Sequence, residues 1–175
     1  MGTIAAGRGP GSFVGIRIGL ATARGLATST GLPVAGVCTL DTLGRAMVES
    51  APAEAPSLAV LDARRGEVFA ALYSGAGERL WEPFVTSPEA LGERLAGLSS
   101  PPGAAGSGAV RFRDELASRG VEVPDDGDPV HRVAARYVCA LATGAAGGED
   151  GLAPIYLRVP DAERWRERDG ERTSE

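Results

Sequence analysis

A chain of 175 residues with 18 basic and 23 acidic side chains, net charge −5, can bury a core but lacks the basic footprint an autonomous nucleic-acid binder needs against phosphate. Every basic residue is arginine, and the absence of lysine excludes a P-loop and a Schiff-base lysine alike. Cys38 and Cys139 fall inside predicted regular elements rather than at framework spacings, so both are expected to be buried free thiols.

The chain opens with a short strand at 2–6 that runs into three closely spaced glycines, Gly7, Gly9 and Gly11, a tight strand-to-helix turn. Ser12 is placed to cap a long helix over 12–29, on which Phe13, Ile16, Leu20 and Ala23 recur at helical spacing and Gly31 and Pro33 give the stop. Residues 33–38 read as a buried strand, and Thr39 as the cap of a second helix with Leu40, Leu43 and Met47 inward and Asp41 in its first turn, where the dipole favours an acid. Strand, helix, strand, helix is the alternation of an α/β fold. Residues 51–56, with two prolines, read as a linker between a first unit (1–51) and a second (52–159).

The second unit starts with a hairpin. Apolar runs at 58–62 and 67–73 flank Ala63-Arg64-Arg65-Gly66, and the second run is apolar on both faces, which predicts cover on both sides. A third strand at 79–85 is demoted toward an edge by Pro83, and Ser87-Pro88-Glu89 starts a helix with Leu91, Leu95 and Leu98 on one stripe. A short strand at 104–106, a helix to Ser118 and a weak strand at 121–123 follow. From Asp128-Pro129 a strict helical period through Val130, Val133, Ala134, Tyr137, Val138, Leu141 and Ala142 predicts one continuous core helix to about Gly144. Residues 152–158 read as extended, and 160–175 as too charged to fold.

A glycine-rich turn before a helix is a natural anion site, because backbone N–H groups and the helix dipole converge there; Gly9, Gly11 and Ser12 are the candidates. The plainer alternative is that the glycines only make the turn, since the dinucleotide fingerprint needs a third glycine where Ser12 stands. His131 is the only histidine, off the apolar stripe and without a Cys or carboxylate cluster around it in sequence, so a surface role is expected and neither a metal site nor a Ser/His/Asp triad. No catalytic residue and no metal ligand is assigned. No signal peptide opens the chain, and no apolar run reaches membrane-spanning length, so a cytoplasmic protein without membrane contact is expected.

Three segments in order, GRGPGSFVGIRIG (7–19), GLPVAGVCTLDTL (31–43) and LDARRGEVFA (61–70), resemble the bacterial TsaB (YeaZ) family, as does LAPIYLR (152–158) near the end. The resemblance implies the two-lobe actin-like ATPase fold, and, because family members carry a strand hairpin and an acidic turn ahead of the glycines, a first lobe lacking its opening half. It implies a non-catalytic scaffold and activator of the catalytic paralogue TsaD, which transfers threonylcarbamoyl to N6 of the adenosine 3′ of the tRNA anticodon. TsaE, an ATPase, would be the third partner; tRNA would be met only through the complex, and a homodimer is an alternative assembly. The hairpin residues Asp62, Arg64 and Arg65 stand where the second phosphate loop of an actin-like ATPase lies, but with two arginines where glycine and a hydroxyl are usual. They are candidates for anion contact, against a solvated hairpin tip, and ATP or ADP would be expected only at the partner interface. The family's contact with TsaD lies on the first lobe's helices, which here nominates Gly15, Arg17, Gly19, Leu20, Ala21 and Arg24. An ATP-dependent kinase or ATPase of the same fold is the rival reading, and a peptidase a weaker one.

Overall fold

The structure is a computed structural model that describes residues 2–50, 55–143 and 149–158. Most of the expected linker and the whole charged tail from 160 lie outside the described residues.

Two sheets organise the chain. The first pairs β1 (Ile4–Gly7) parallel with β2 (Val34–Val37), in register from Ile4 opposite Val34 to Gly7 opposite Val37. Between them runs α1 (Phe13–Thr30), capped by Ser12, whose hydroxyl accepts from the Gly15 amide at 3.3 Å, and closed by Gly31 at φ 68°. A left-handed residue is needed there, and glycine adopts it without a Cβ penalty. α2 (Thr39–Ser50) follows β2, with Thr39 already the first helical residue.

The second sheet has the order β5-β4-β3-β6. β3 (Ser57–Arg64) and β4 (Glu67–Tyr73) form the antiparallel hairpin, β5 (Arg79–Thr86) takes the edge, and β6 (Gly103–Ala105) joins β3 in parallel. Pro83 on β5 falls where the pairing with β4 shifts register, as a residue without an amide hydrogen does at an edge. β4 is covered on both faces. Val68, Ala70 and Leu72 pack with Leu58 and Val60 under Leu91 and Leu95 of α3 (Pro88–Leu95), Ala109 of α4 (Ser107–Arg111) and Leu116 of α5 (Arg113–Ala117). Phe69, Ala71 and Tyr73 meet Cys38, Leu40 and Leu43, so α2 is the layer on the other face. Burying a leucine of this kind stabilises by about 1.5–3 kcal/mol.

The single helix expected from residue 128 is broken. Asp128 accepts from the Val130 amide at 2.9 Å and closes a 3₁₀ turn, Pro129–His131; Arg132 and Ala134 are then extended, and α6 (Ala135–Ala142) starts afresh. Helical periodicity cannot report the break, because its cause is tertiary: the His131 ring is bonded into a neighbouring loop, as described below. Val133, expected on the core stripe, is 43% exposed.

α6 returns to the first sheet, where Val138, Leu141 and Ala142 pack with Ala5, Ala35 and Val37. Leu152, fully buried with Leu20, Ala23 and Val34, brings the chain's last described segment back to the same unit.

Candidate functional site

The site is built from α1, the turn that precedes it, the hairpin tip and the extended strap 153–158. On α1 the inward stripe is Ile16, Leu20, Ala23 and Ala27. The helix nevertheless carries only two charges, Arg17 and Arg24, in 18 residues, so its outward side is apolar as well. Val14 is 61% exposed, Ile18 62%, Leu26 50% and Phe13 44%. Phe13, expected inside, thus stands on the outside. Of the residues nominated for a partner, Gly15, Arg17, Gly19, Ala21 and Arg24 are exposed, whereas Leu20 is buried in its own lobe and is removed from the surface. A Cβ built on Gly19 would meet nothing within 4 Å. Internal packing therefore does not demand glycine there, although it costs about 1 kcal/mol of helix propensity.

The first part of the glycine-rich turn, Arg8 and Gly9, is held against the rest of the protein. The Gly9 carbonyl accepts from the Thr39 amide at 2.8 Å, and the Arg8 carbonyl from the Ile155 amide at 2.7 Å. Gly9, at φ 98°, is buried, and a Cβ there would meet the Ile16 side chain at 2.8 Å and the Ile155 carbonyl oxygen at 3.0 Å. Its glycine is explained by conformation and close approach. Gly11 and Ser12 remain exposed, with Ser12 committed to its cap.

At the hairpin tip the chain passes through three successive left-handed residues, Arg64 at φ 64°, Arg65 at 56° and Gly66 at 76°. Arg65 and Gly66 form the two-residue connection, whose twist suits a hairpin, and a bulge between Asp62 and Arg64 adds the third. Asp62 holds this turn: its carboxylate accepts from the Arg64 amide at 2.8 Å and from Arg111 at 2.9 Å. Partial burial works to raise its pKa but is outweighed by those bonds and by the Arg111 and Arg64 charges, which leave it below the usual aspartate value. Asp62 thus anchors the hairpin tip to α4.

The strap spans both loops. Ile155 and Leu157 pack inward between Cys38, Leu40, Phe69 and their neighbours, and Arg158 bonds the Glu67 carboxylate and the Arg64 carbonyl. Tyr156 points outward, accepting from Arg17 Nε at 3.0 Å with its ring 5.4 Å from Phe13. Residue-type patterns did not flag Tyr156, Val14 or Ile18; the scarcity of charge along α1 was the signal available.

Three other polar groups are placed. His131 is buried rather than on the surface: Nδ1 accepts from the Gly106 amide at 3.1 Å, which leaves Nε2–H to donate to the Pro124 and Asp125 carbonyls, both at 3.1 Å. A loop-fastening ring was unreadable from sequence because its partners are backbone atoms. Cys38 is buried, and burial together with the Asp41 charge pushes its thiol pKa up, whereas Cys139 is exposed, against expectation. Among the described residues no three of His, Cys, Asp and Glu are grouped as a metal ion would require, and no helix is long and apolar enough to cross a membrane.

Comparison with known proteins follows the same lines. The family model for TsaD, tRNA N6-adenosine threonylcarbamoyltransferase, matches residues 1–115. The Escherichia coli tRNA threonylcarbamoyladenosine biosynthesis protein TsaB is 35% identical over 163 residues, 89% of this chain and 70% of that protein. An uncharacterized Mycobacterium tuberculosis protein is also 35% identical, over 91% of this chain and 65% of its own length. The solved structure of YeaZ from Pseudomonas aeruginosa superposes with a TM-score of 0.64 at 30% identity, over 89% of this chain and 74% of that one. At this identity and coverage the chain belongs to the TsaB (YeaZ) family and has its actin-like α/β fold.

Proposed function

We propose that the chain is a non-catalytic scaffold and activator in threonylcarbamoyladenosine biosynthesis, acting on tRNA through TsaD as catalytic partner and working with TsaE. The observation that carries the reading is the outward face of α1, where Val14, Ile18 and Leu26 stand exposed beside Gly15 and Gly19 on a helix with two charges. Large apolar side chains grouped on an exposed helix face suit an interface. The bare glycines let a partner helix come close, and Arg17 and Arg24, on one flank, supply a charged rim. In this reading the chain's own cleft takes no nucleotide, and ATP or ADP is assigned to the surface shared with TsaD. The rival, an ATPase of the same fold, is disfavoured by the engaged Asp62 and the covered glycine turn.

The test measures TsaD binding and tRNA modification together. Gly19→Leu should block the close approach and abolish binding, and Arg24→Glu should mainly slow association, since rim charges act on encounter. The purified chain without TsaD should leave tRNA unmodified and ATP unhydrolysed. Folded Gly19→Leu protein that binds TsaD like wild type, or ATP turnover by the chain alone, would overturn the reading.

A further inference from the structure

We propose that Arg8 is the binding group of an oxyanion site at the carboxyl end of the first sheet, and that the site takes a carboxylate or phosphate group. The proposal does not depend on the docking role of α1.

Alternation along a strand sends every second side chain to the same face. On β1 one such row holds Ile4 and Ala6, both packed with Leu20, Ala23, Val34 and Leu152. The Arg8 amide donates to the Val37 carbonyl at 2.9 Å and carries the pairing with β2 one residue further, so the next side chain in the inward row is an arginine. Its stem crosses β2 at Gly36, where an added Cβ would stand 3.1 Å from Arg8 Cδ. Arginine stems commonly lie along apolar surface while the charged head stays in water. Here the cover reaches the head itself, because Nε is buried and has no hydrogen-bond partner among the described residues.

No described residue bonds the remainder of the guanidinium, and Arg8 is only partly covered, so its Nη groups stay open to solvent. Arg158 also has a buried, unbonded Nε, but the Glu67 carboxylate balances its charge. For Arg8 no acid among the described residues does so. A buried N–H without an acceptor costs about tenfold in the folding equilibrium. A bound oxyanion would offset that cost, since a guanidinium grips carboxylate or phosphate through two parallel N–H bonds. The position is also apt: α/β sheets bind ligands beyond the carboxyl ends of their strands, and Arg8 is the first residue after β1. The backbone of this turn is committed, the Arg8 carbonyl to Ile155 and the Gly9 carbonyl to Thr39, whereas its cation is not.

The experiment follows the arginine side-chain N–H signals by NMR, and the thermal midpoint, for wild type, Arg8→Lys and Arg8→Met. Sodium phosphate and sodium acetate are added separately at constant ionic strength. The Arg8 Nε–H signal is identified by its loss in Arg8→Lys, and the exposed Arg24 on α1 serves as the control. One anion or both should shift the Arg8 signal saturably while Arg24 does not follow. The same anion should raise the midpoint of wild type and leave that of Arg8→Met unchanged. Arg8→Lys, which keeps the charge but not the fork, should bind several-fold more weakly. A response to phosphate alone assigns a phosphate group and a response to acetate alone a carboxylate; either bears the site out. Without added anion, the unfolding equilibrium of Arg8→Met should stay within about threefold of wild type's, because the cation it removes makes no bond. Unfolding favoured by more than about tenfold, or failure of Arg8→Met to fold, gives Arg8 a structural role and overturns the proposal. No shift at Arg8, or equal shifts at Arg8 and Arg24, overturns it as well.

Discussion

The phenol of Tyr73 on β4 donates to the carboxylate of Asp41 on α2 over 2.8 Å, and fastens the helix that follows the first sheet to the middle of the second. Arg79 from the edge strand completes the junction, with Nη2 2.6 Å from one Asp41 oxygen and 2.7 Å from the other. Burial first, then the Asp41 charge and hydrogen bond, hold the Tyr73 phenol protonated well above the usual tyrosine range. Asp41, which would read as a dipole-compensating acid in a first helical turn, is thus the acceptor at an inter-element joint.

The same joint makes two helix glycines opposite in character. A Cβ on Gly44 would lie 2.7–2.9 Å from three atoms of the Tyr73 ring, whereas one on Gly19 would meet nothing. Gly44→Ala should therefore destabilise by about 1–3 kcal/mol through overpacking, despite its better propensity. Gly19→Ala should stabilise by up to about 1 kcal/mol. Urea unfolding of both variants checks the contrast; a gain in stability for Gly44→Ala would show that α2 does not lie against Tyr73 as described.

Gly36 on β2 is a test of the strap's entry. A Cβ there would lie far inside the contact distance to the Gly151 carbonyl oxygen, so Gly36→Ala must push the segment at 149–152 off the strand. The expected result is faster proteolysis and amide exchange through residues 149–158, with the second sheet's protection unchanged. Unaltered protection of that segment would contradict the packing.

Asp62 predicts an acid dependence with a definite sign. Its folded pKa lies below its ordinary value of 3.8, so its bonds contribute stability that is present above that value and is lost as pH falls through the lowered one. Asp62→Asn should be less stable than wild type at neutral pH, and the gap should close as the solution is acidified below the ordinary carboxylate range. A gap that stays constant with pH would assign the effect to lost shape rather than lost charge.

His131→Ala should destabilise by about 1–3 kcal/mol, because the Gly106 amide would be left buried without its acceptor. Cys139→Ser, at an exposed position, should change stability by less than about 0.5 kcal/mol. Thermal or urea unfolding of the pair distinguishes a loop-fastening histidine from the surface residue its place in the sequence pattern suggests.

Local signals carried much of the fold. The Ser12 cap, Gly31 at the helix end, the two-sided apolarity of β4, the edge placement of Pro83 and the Ser87-Pro88 helix start all rest on contacts within a few residues or on period-two patterning, and each appears where the sequence puts it. The interrupted helix at 128–144 and the burial of His131 were not legible, since the competing bonds come from Gly106, Pro124 and Asp125. Similarly, the inward face of α1 could be read only in part: Leu20 and Ala23 went in, but Phe13 went out to meet Tyr156, 143 positions later.

By itself the sequence determined the chain's alternation of strands and helices, its kinship through the glycine-rich turn and hairpin, and the long helix that follows that turn. Only the tertiary structure decided which side of that helix stays exposed, that the strap at 153–158 covers Gly9 while presenting Tyr156, and that Asp62 is spent on Arg111 and the hairpin backbone. The reason is physical. Periodicity, capping and turn chemistry act between near neighbours, whereas the fate of a glycine turn or a carboxylate depends on which distant backbone and guanidinium groups the fold brings within hydrogen-bond reach.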